Sequence, residues 1–346
     1  MKMLALVEKS AHTALVKIDE SIPLIGCIAF GLIDRGTNVI QVRPISTCPL
    51  SCIFCSTNAG PRSRIRQTEY IVALDHIVEE FRKLVRFKGE RAIEAHIDTV
   101  GDPLTYLDII ELVHELNQTR GVKTVSMQTH GTLLNEKLLD RFSSAGLSRI
   151  NLSVDALDSK LAKKLADTEW YEVKRVIDLT RYIIENTSMG LLLSPVWVPN
   201  INDQEILRII DLASKIGAGK RSPPLGIQKY EVHKHGRKVK GVKALRWRQF
   251  YAQLRVWERL YRIRLVLRPE DFEIHRRLML PSLYRKLEKV KLRVIALGWL
   301  RREKLAVTMQ GERTMTLINA ENIPVGAKVK ARVIANKHNI YLAETA

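Results

Sequence analysis

An open (β/α)6 barrel followed by a small antiparallel β-barrel is the architecture this sequence predicts, and three observations predict it. From residue 38 to about 231, β-branched runs alternate with stretches of helical period, the pattern of right-handed βαβ units around a parallel sheet. Apolar residues make up 46% of the chain and aromatics only 6%, so Leu, Ile and Val carry the core, as in parallel strands covered on both faces. From about residue 289 the texture changes to short β-like runs divided by turn residues. Six units fall short of a closed eight-unit barrel, so the first barrel is expected to be open.

Taken in order, residues 1–37 form an N-terminal lead-in, and 38–242 the barrel core. The run "NVIQVR" (38–43) is its first strand and delivers the chain to a cysteine-rich loop. "TEYIVALDHIVEEFRKLVRFKG" then sets Tyr70, Leu74, Ile77, Val78, Phe81, Leu84 and Val85 on one helical face, with Thr68 as its cap and Gly89 after its end. Strands follow at 92–98, 122–128, 149–154, 189–196 and near 225–231, with helical stretches at 105–119, 135–145, 158–187 and 203–216 between them. Residues 243–288 are a basic helical extension whose helix, 244–264, carries Leu245, Phe250, Leu254, Trp257 and Leu260 among arginines. The last segment, 289–346, holds five short strand-like runs in a size that suits an oligonucleotide-binding type of barrel.

Charge is distributed unevenly. The formal net charge is +19, and between Lys220 and Lys304 there are 25 basic residues against 7 acidic ones. A basic region segregated in this way implies a polyanionic partner, nucleic acid ahead of an anionic membrane; a solvated charged face is the plainer reading. The first twenty residues break their apolar stretch with Glu8, Lys9 and His12, which predicts neither a leader nor a membrane span. Four clustered cysteines suit a reducing compartment, so the cytoplasm is the expected location. Cys27, set among apolar residues in "PLIGCIAFG", is read as a small buried hydrophobe.

The other three cysteines, Cys48, Cys52 and Cys55, lie in "ISTCPLSCIFCS" with the spacing C-x3-C-x2-C. A structural zinc site calls for four protein ligands, and no second CxxC or HxxxH supplies the fourth. A [4Fe-4S] cluster held by three thiolates would leave one iron open to a ligand from outside the protein. This loop, with Phe54 before its last cysteine, resembles the signature of the radical S-adenosylmethionine (radical SAM) superfamily. The resemblance implies a partial TIM-like barrel of the radical SAM type. It also implies a [4Fe-4S] cluster, S-adenosylmethionine chelated at the open iron, and its reductive cleavage to a 5′-deoxyadenosyl radical. A ferredoxin- or flavodoxin-like protein would supply the electron.

Further segments match that family in order. "TVGDPLTY" (99–106) stands where the family has Gly-Gly-Glu-Pro, implying contact of Gly101 and Asp102 with the methionyl ammonium; Val100 and Asp102 depart from the pattern. "MQTHGTLL" (127–134) resembles the Thr-Asn-Gly turn and "INLSVDALD" (150–158) the Ser-x-Asp strand. Ser153 and Asp155 share one face and suit the ribose hydroxyls and carboxylate of the cofactor, while Asp158 suits a helix cap. In "LSPVWVPNIND" (193–203) Asn200 faces the cofactor or makes the turn, and in "LGIQKYEVHKHGR" (225–237) backbone near Ile227 would approach adenine. His130 is a proton donor, a substrate contact or a turn residue; His233 and His235 alternate among cations that favour phosphate or solvent over metal.

The segment "GERTMTLINAENIPVGAKVKARVIANKHNIYLAETA", with its Pro324 to Gly326 turn, resembles the end of a TRAM domain, a small barrel with which several transfer-RNA-modifying enzymes grip RNA. Together the two resemblances imply a radical SAM enzyme acting on RNA, foremost transfer RNA. His130, Lys234, Arg237, Lys238, Arg246, Arg248, Arg301, Arg302 and Lys337 are the candidate RNA contacts, and Trp247, Tyr251, Tyr261 or Trp299 would stack on unpaired bases. Two alternatives stand beside this reading: the same chemistry on a protein, peptide or small metabolite, and a noncatalytic RNA-binding iron-sulfur protein.

Overall fold

The computed structural model describes residues 13–220 and 222–345. The opening residues on which the leader reading rests therefore lie outside the described residues. Among the described residues, no helix is long and apolar enough to cross a membrane.

The lead-in contributes two strands, β1 (Ala14–Ile18) and β2 (Gly31–Asp34), ahead of β3 (Val39–Arg43). β4 (Thr68–Val72) precedes α1 (Leu74–Phe87), so the single helix expected over 68–89 is a strand and a helix. The alternating burial of "TEYIV" and its parallel pairing with β1 explain the difference: a β-branched and aromatic run finds a backbone partner in the lead-in. Thr68 caps nothing, and its hydroxyl is buried without a partner.

The main sheet continues through β5 (Ile93–Ile97), α2 (Ile109–Gln118), β6 (Val122–Thr129), α3 (Glu136–Ala145) and β7 (Arg149–Leu152). The helical stretch at 158–187 divides into α4 (Ser159–Ala166) and α5 (Val173–Asn186), because Asp167 turns left-handed and stops the first. Asp158 caps α4 as expected, accepting from Leu161 N–H at 2.8 Å. β8 (Gly190–Leu193), β9 (Val196–Trp197), α6 (Asp203–Lys215) and β10 (Gln228–Lys229) complete the core, and α7 (Trp247–Tyr261) follows.

Six strands form one sheet in the order β2-β3-β5-β6-β7-β8, parallel from β3 to β8 and antiparallel only at the β2 edge. β9 and β10 pair with each other, and a single bridge, Leu193 to Leu225, joins their segment to β8. This is the partial TIM-like barrel of the expectation, with its last strand reduced to two residues.

The C-terminal segment is a closed barrel of β11 (Lys289–Leu297), β12 (Lys304–Thr308), β13 (Thr314–Leu317), β15 (Leu342–Thr345) and β14 (Lys328–Ala335), in that neighbour order. Alternate residues Val290, Leu292 and Val294 of β11 point into its core. One pairing, β13 with β15, is parallel, against the all-antiparallel expectation. It closes the barrel between strands that no hairpin joins.

Among the places that fix the small barrel to the core, two are defined by close contacts of the described residues. Gln67 Nε2 donates to the carbonyls of Leu300 and Glu303 at 2.8 and 2.9 Å, and Tyr70 Oη donates to that of Leu297 at 3.0 Å. At the second, a Cβ on Gly26 would stand 1.9 Å from the Thr314 carbonyl oxygen, and Gly26 adopts a φ of 136°. Only glycine allows the lead-in to approach β13 this closely.

Candidate active site

A cavity of about 720 Å³ opens at the C-terminal ends of the parallel strands, the edge where open α/β sheets place their ligands. The loop after β3 brings Cys48, Cys52, Phe54 and Cys55 to its wall. That loop is held from several sides. Ser51 and Ile53 N–H groups donate to Ala166 and Leu165 carbonyls at the end of α4, at 3.0 and 2.9 Å. Asp102 N–H donates to the Thr47 carbonyl at 2.8 Å, and Thr57 Oγ1 to that of Val100 at 2.8 Å.

Arg66 is the centre of this support, and nothing in the sequence marked it. Its fully buried guanidinium donates to the carbonyls of Ser46, Thr57 and Val100 at 2.9, 3.1 and 2.5 Å and pairs with Glu69 at 3.0 Å. It also lies 4.6 Å from the centre of the Trp299 ring. Arg66 thus covers one face of the half-buried Trp299 ring, so this ring packs on the support of the cysteine loop.

The thiols fit a cluster. Burial pushes the Cys48 and Cys52 thiols well up, so they are neutral until a metal displaces their protons. Cys55 Sγ accepts from the Ala59 N–H at 3.3 Å and contacts Thr57 Oγ1 at 3.3 Å, an arrangement compatible with a ligating sulfur. Among the described residues no three acidic, histidine or cysteine side chains converge as a single metal ion requires. Cys48, Cys52 and Cys55 all line one cavity, and three thiols so placed suit a centre of several irons, each thiol serving one.

Gly101 lines the cavity as expected, and a Cβ there would stand 2.0 Å from the Thr47 carbonyl oxygen. Asp102 does not reach the cavity wall. Its buried carboxylate accepts from Leu104 N–H at 3.0 Å, Thr129 Oγ1 at 2.9 Å and His130 N–H at 3.0 Å, tying the ends of β5 and β6 together. The shorter carboxylate is engaged by the fold at these three donors and not on the cavity wall.

Ser153 faces the cavity and accepts from Gln128 Nε2 at 2.6 Å. Asp155 is outside the cavity wall and accepts from Val196 N–H at 2.8 Å. Burial raises its carboxyl against the pull of His130 and that hydrogen bond. Ile227 and His130 both line the cavity. Asn200 does not: it is exposed, left-handed at φ 63°, and its N–H donates to Asp203 at 2.7 Å, so it makes the turn. The buried asparagine of this loop is Asn202, which bonds the carbonyls of Asp155 and Val196 at 2.8 and 2.9 Å and accepts from Val198 N–H at 2.8 Å. Asn200 is the residue of "PNIND" singled out from the sequence, whereas it is the nearby Asn202 that is buried and holds the loop.

Of the cations, Arg237 turns inward. Its N–H donates to the Cys55 carbonyl at 2.8 Å and its Nη1 to that of Cys52 at 3.2 Å, which makes it a support of the cysteine loop rather than a phosphate contact. Lys234, Lys238, Arg246, Arg248, Arg301 and Lys337 are exposed, and exposed Arg302 pairs with Glu321 at 2.9 Å. Trp247 and Tyr251, 52% and 37% exposed, line the cavity with ring centres 5.6 Å apart. Trp257 is buried against Trp197, and Tyr261 packs on the core without reaching the cavity. The cavity wall also includes His96, Asp98 and Gln128, which sequence reasoning passed over because each stands within or just after a strand that reads as ordinary core.

Comparison with known proteins agrees with this geometry. A family model described as the radical SAM superfamily matches residues 42–213. An uncharacterized protein of Methanocaldococcus jannaschii is 40% identical over 349 residues, covering 95% of this chain and 80% of that protein. The GTP 3′,8-cyclase of Chlorobaculum tepidum is 29% identical over 179 residues, 51% of this chain and 50% of that enzyme, so the match spans about half of the cyclase. Among solved structures, a spore photoproduct lyase variant with AdoMet and dinucleoside spore photoproduct bound aligns with a TM-score of 0.50. That alignment covers 79% of this chain and 83% of the other at 12% identity, a likeness of fold alone.

Proposed function

The chain belongs to the radical SAM superfamily, and from that membership we propose that it is an enzyme that modifies RNA, foremost transfer RNA. Its cofactors are a [4Fe-4S] cluster and S-adenosylmethionine. When bound, they supply a 5′-deoxyadenosyl radical that abstracts a hydrogen atom from the substrate. In this reading Cys48, Cys52 and Cys55 hold the cluster, and Gly101, Ser153, Ile227 and Phe54 form the cofactor's walls. Asp102, Asp155 and Asn202 act one step back, fixing the loops that carry those walls. A ferredoxin- or flavodoxin-like donor in the cytoplasm provides the electron.

The observation that carries the RNA reading is the position of the free cations. Exposed Lys234 and Lys238 lie on either side of Arg237, which follows β10 and bonds the cysteine loop, and exposed Arg246 and Arg248 flank Trp247 on the cavity wall. Polyanion contacts there would hold a backbone at the cavity mouth while one base enters. The resemblance of the C-terminal barrel to a TRAM domain supports the same partner.

Nucleoside mass spectra of transfer RNA from cells with and without the protein test the proposal. One modified nucleoside should disappear in its absence, and identical spectra overturn the transfer RNA assignment. The likeness to GTP 3′,8-cyclases supports a second reading, in which a free purine nucleotide is the substrate. Nucleotide-dependent formation of 5′-deoxyadenosine without any RNA would favour it.

A further inference from the structure

His96 stands on β5 with its ring on the wall of the cysteine-lined cavity, and none of the roles above uses it. Its neighbours determine which ring nitrogen carries the proton. Ser126 Oγ donates its only hydrogen to Glu94 Oε1 at 2.5 Å. The same oxygen receives Arg149 Nη2 at 2.6 Å, and a carboxylate paired with a guanidinium is an acceptor only. Ser126 Oγ therefore has only lone pairs to offer His96 Nδ1, 2.7 Å away, and Nδ1 must be the protonated nitrogen.

Nε2 then presents a lone pair, and it has no hydrogen-bond partner among the described residues. Burial lowers the His96 pKa from its ordinary value, and Arg149 on β7 and Arg43 on β3 add to that effect; Asp98 and Glu94, on or beside its own strand, oppose it. The ring is thus neutral at pH 7. Asp98, two residues further on, also lines the cavity, with its carboxylate fixed by Arg43 at 2.8 Å and Gln41 at 2.5 Å. This part of the wall offers two oriented acceptors.

We propose that His96 Nε2 is a substrate-binding acceptor, which with Asp98 receives the N–H or O–H edge of the group that enters the cavity. Naming that group as the amino or imino edge of a nucleobase rests on the RNA reading; the acceptor role of His96 does not. Glu94, Ser126 and Arg149 are positioning residues, since they set the tautomer without facing the substrate. A side chain such as Gln can replace the acceptor but not the relay behind it.

The test is long-range ¹H–¹⁵N spectroscopy of the full-length, cluster-loaded protein labelled at histidine, with H96Q identifying the His96 signal. The expected spectrum shows neutral His96 at pH 7 with hydrogen on Nδ1, changing in S126A to a mixture of both tautomers. Unfractionated transfer RNA added at low salt should move the Nε2 signal in the direction of hydrogen-bond acceptance, and salt that releases the RNA should restore it. Hydrogen on Nε2 in the wild type overturns the proposal, as does an Nε2 signal unmoved while RNA is bound. Failure of transfer RNA to bind at low salt instead overturns the RNA reading, and the tautomer then decides the role of His96.

Discussion

The guanidinium of Arg66 lies 4.6 Å from the centre of the Trp299 ring, so one buried side chain joins the C-terminal barrel to the loop that carries the three clustered cysteines. Arg66→Ala would leave the carbonyls of Ser46, Thr57 and Val100 without their donor and Glu69 without its partner. A loss of about 3 kcal/mol or more follows from breaking a buried pair of this kind. Denaturant unfolding should register it, and iron should be lost to a chelator faster than from the wild type. Trp299→Ala should accelerate the same loss to a smaller degree, although Trp299 is remote from the cysteines in sequence. Iron retention equal to wild type in both variants would show that the barrel does not support the loop.

Asp102→Ala should destabilise the protein by about 3 kcal/mol, since three donors, from Leu104, Thr129 and His130, lose a shared buried acceptor. Asp102→Asn retains one acceptor oxygen and should lose less. Unfolding midpoints measure both. A variant that binds S-adenosylmethionine poorly yet unfolds like the wild type would return Asp102 to direct contact with the cofactor.

Burial pushes the Cys27 thiol from 9.0 up to about 11. The folded value lies above the unfolded one, so the associated stability is complete below pH 9 and is lost as pH rises toward 11. The loss is on the order of 2–3 kcal/mol, given about 1.4 kcal/mol for each pH unit. Chemical denaturation of wild type and Cys27→Ala across this interval measures it, the variant being expected to lack that part of the alkaline decline. Cys27→Ala should also leave the iron content unchanged, whereas alanine at Cys48, Cys52 or Cys55 should abolish it.

RNA binding, if the cations at the cavity mouth carry it, has a salt signature. Replacing Lys234, Lys238, Arg246 or Arg248 singly by Ala should reduce the slope of log affinity against log salt by about one. Arg237→Ala should leave the slope unchanged, because its guanidinium is engaged by the Cys52 carbonyl. Trp247→Ala should weaken binding by about tenfold with the slope retained, the expected effect of losing one stacking contact. Filter retention at several salt concentrations separates these outcomes.

Much of the fold was legible because period and burial coincide. Strand and helix runs from β5 to α6 lie where alternation and helical spacing predict them, and the five strands of the small barrel lie within the five β-like runs or at their ends. Legibility failed where a partner decided the conformation. "TEYIV" reads as the first turn of a helix until β1 supplies its ladder, and the strand near 225–231 shortens to two residues because, among the described residues, it meets β8 in one bridge at Leu225 and a ladder with β9 only at Gln228–Lys229.

Features whose information is local could be read directly along the chain: the C-x3-C-x2-C loop, the βα alternation, the segregated positive charge and the change of texture at the second barrel. Tertiary structure alone decided which polar side chains face the cavity and which are consumed in building it. Asp102, Arg237 and Trp299 were expected to meet ligands, and in the fold they hold loops, while His96 and Arg66 gained their positions without any local mark. The reason is physical. A buried polar group must find its hydrogen-bond partners, and those partners come from strands and loops distant in sequence, so the division between support and site is fixed only when the chain has folded.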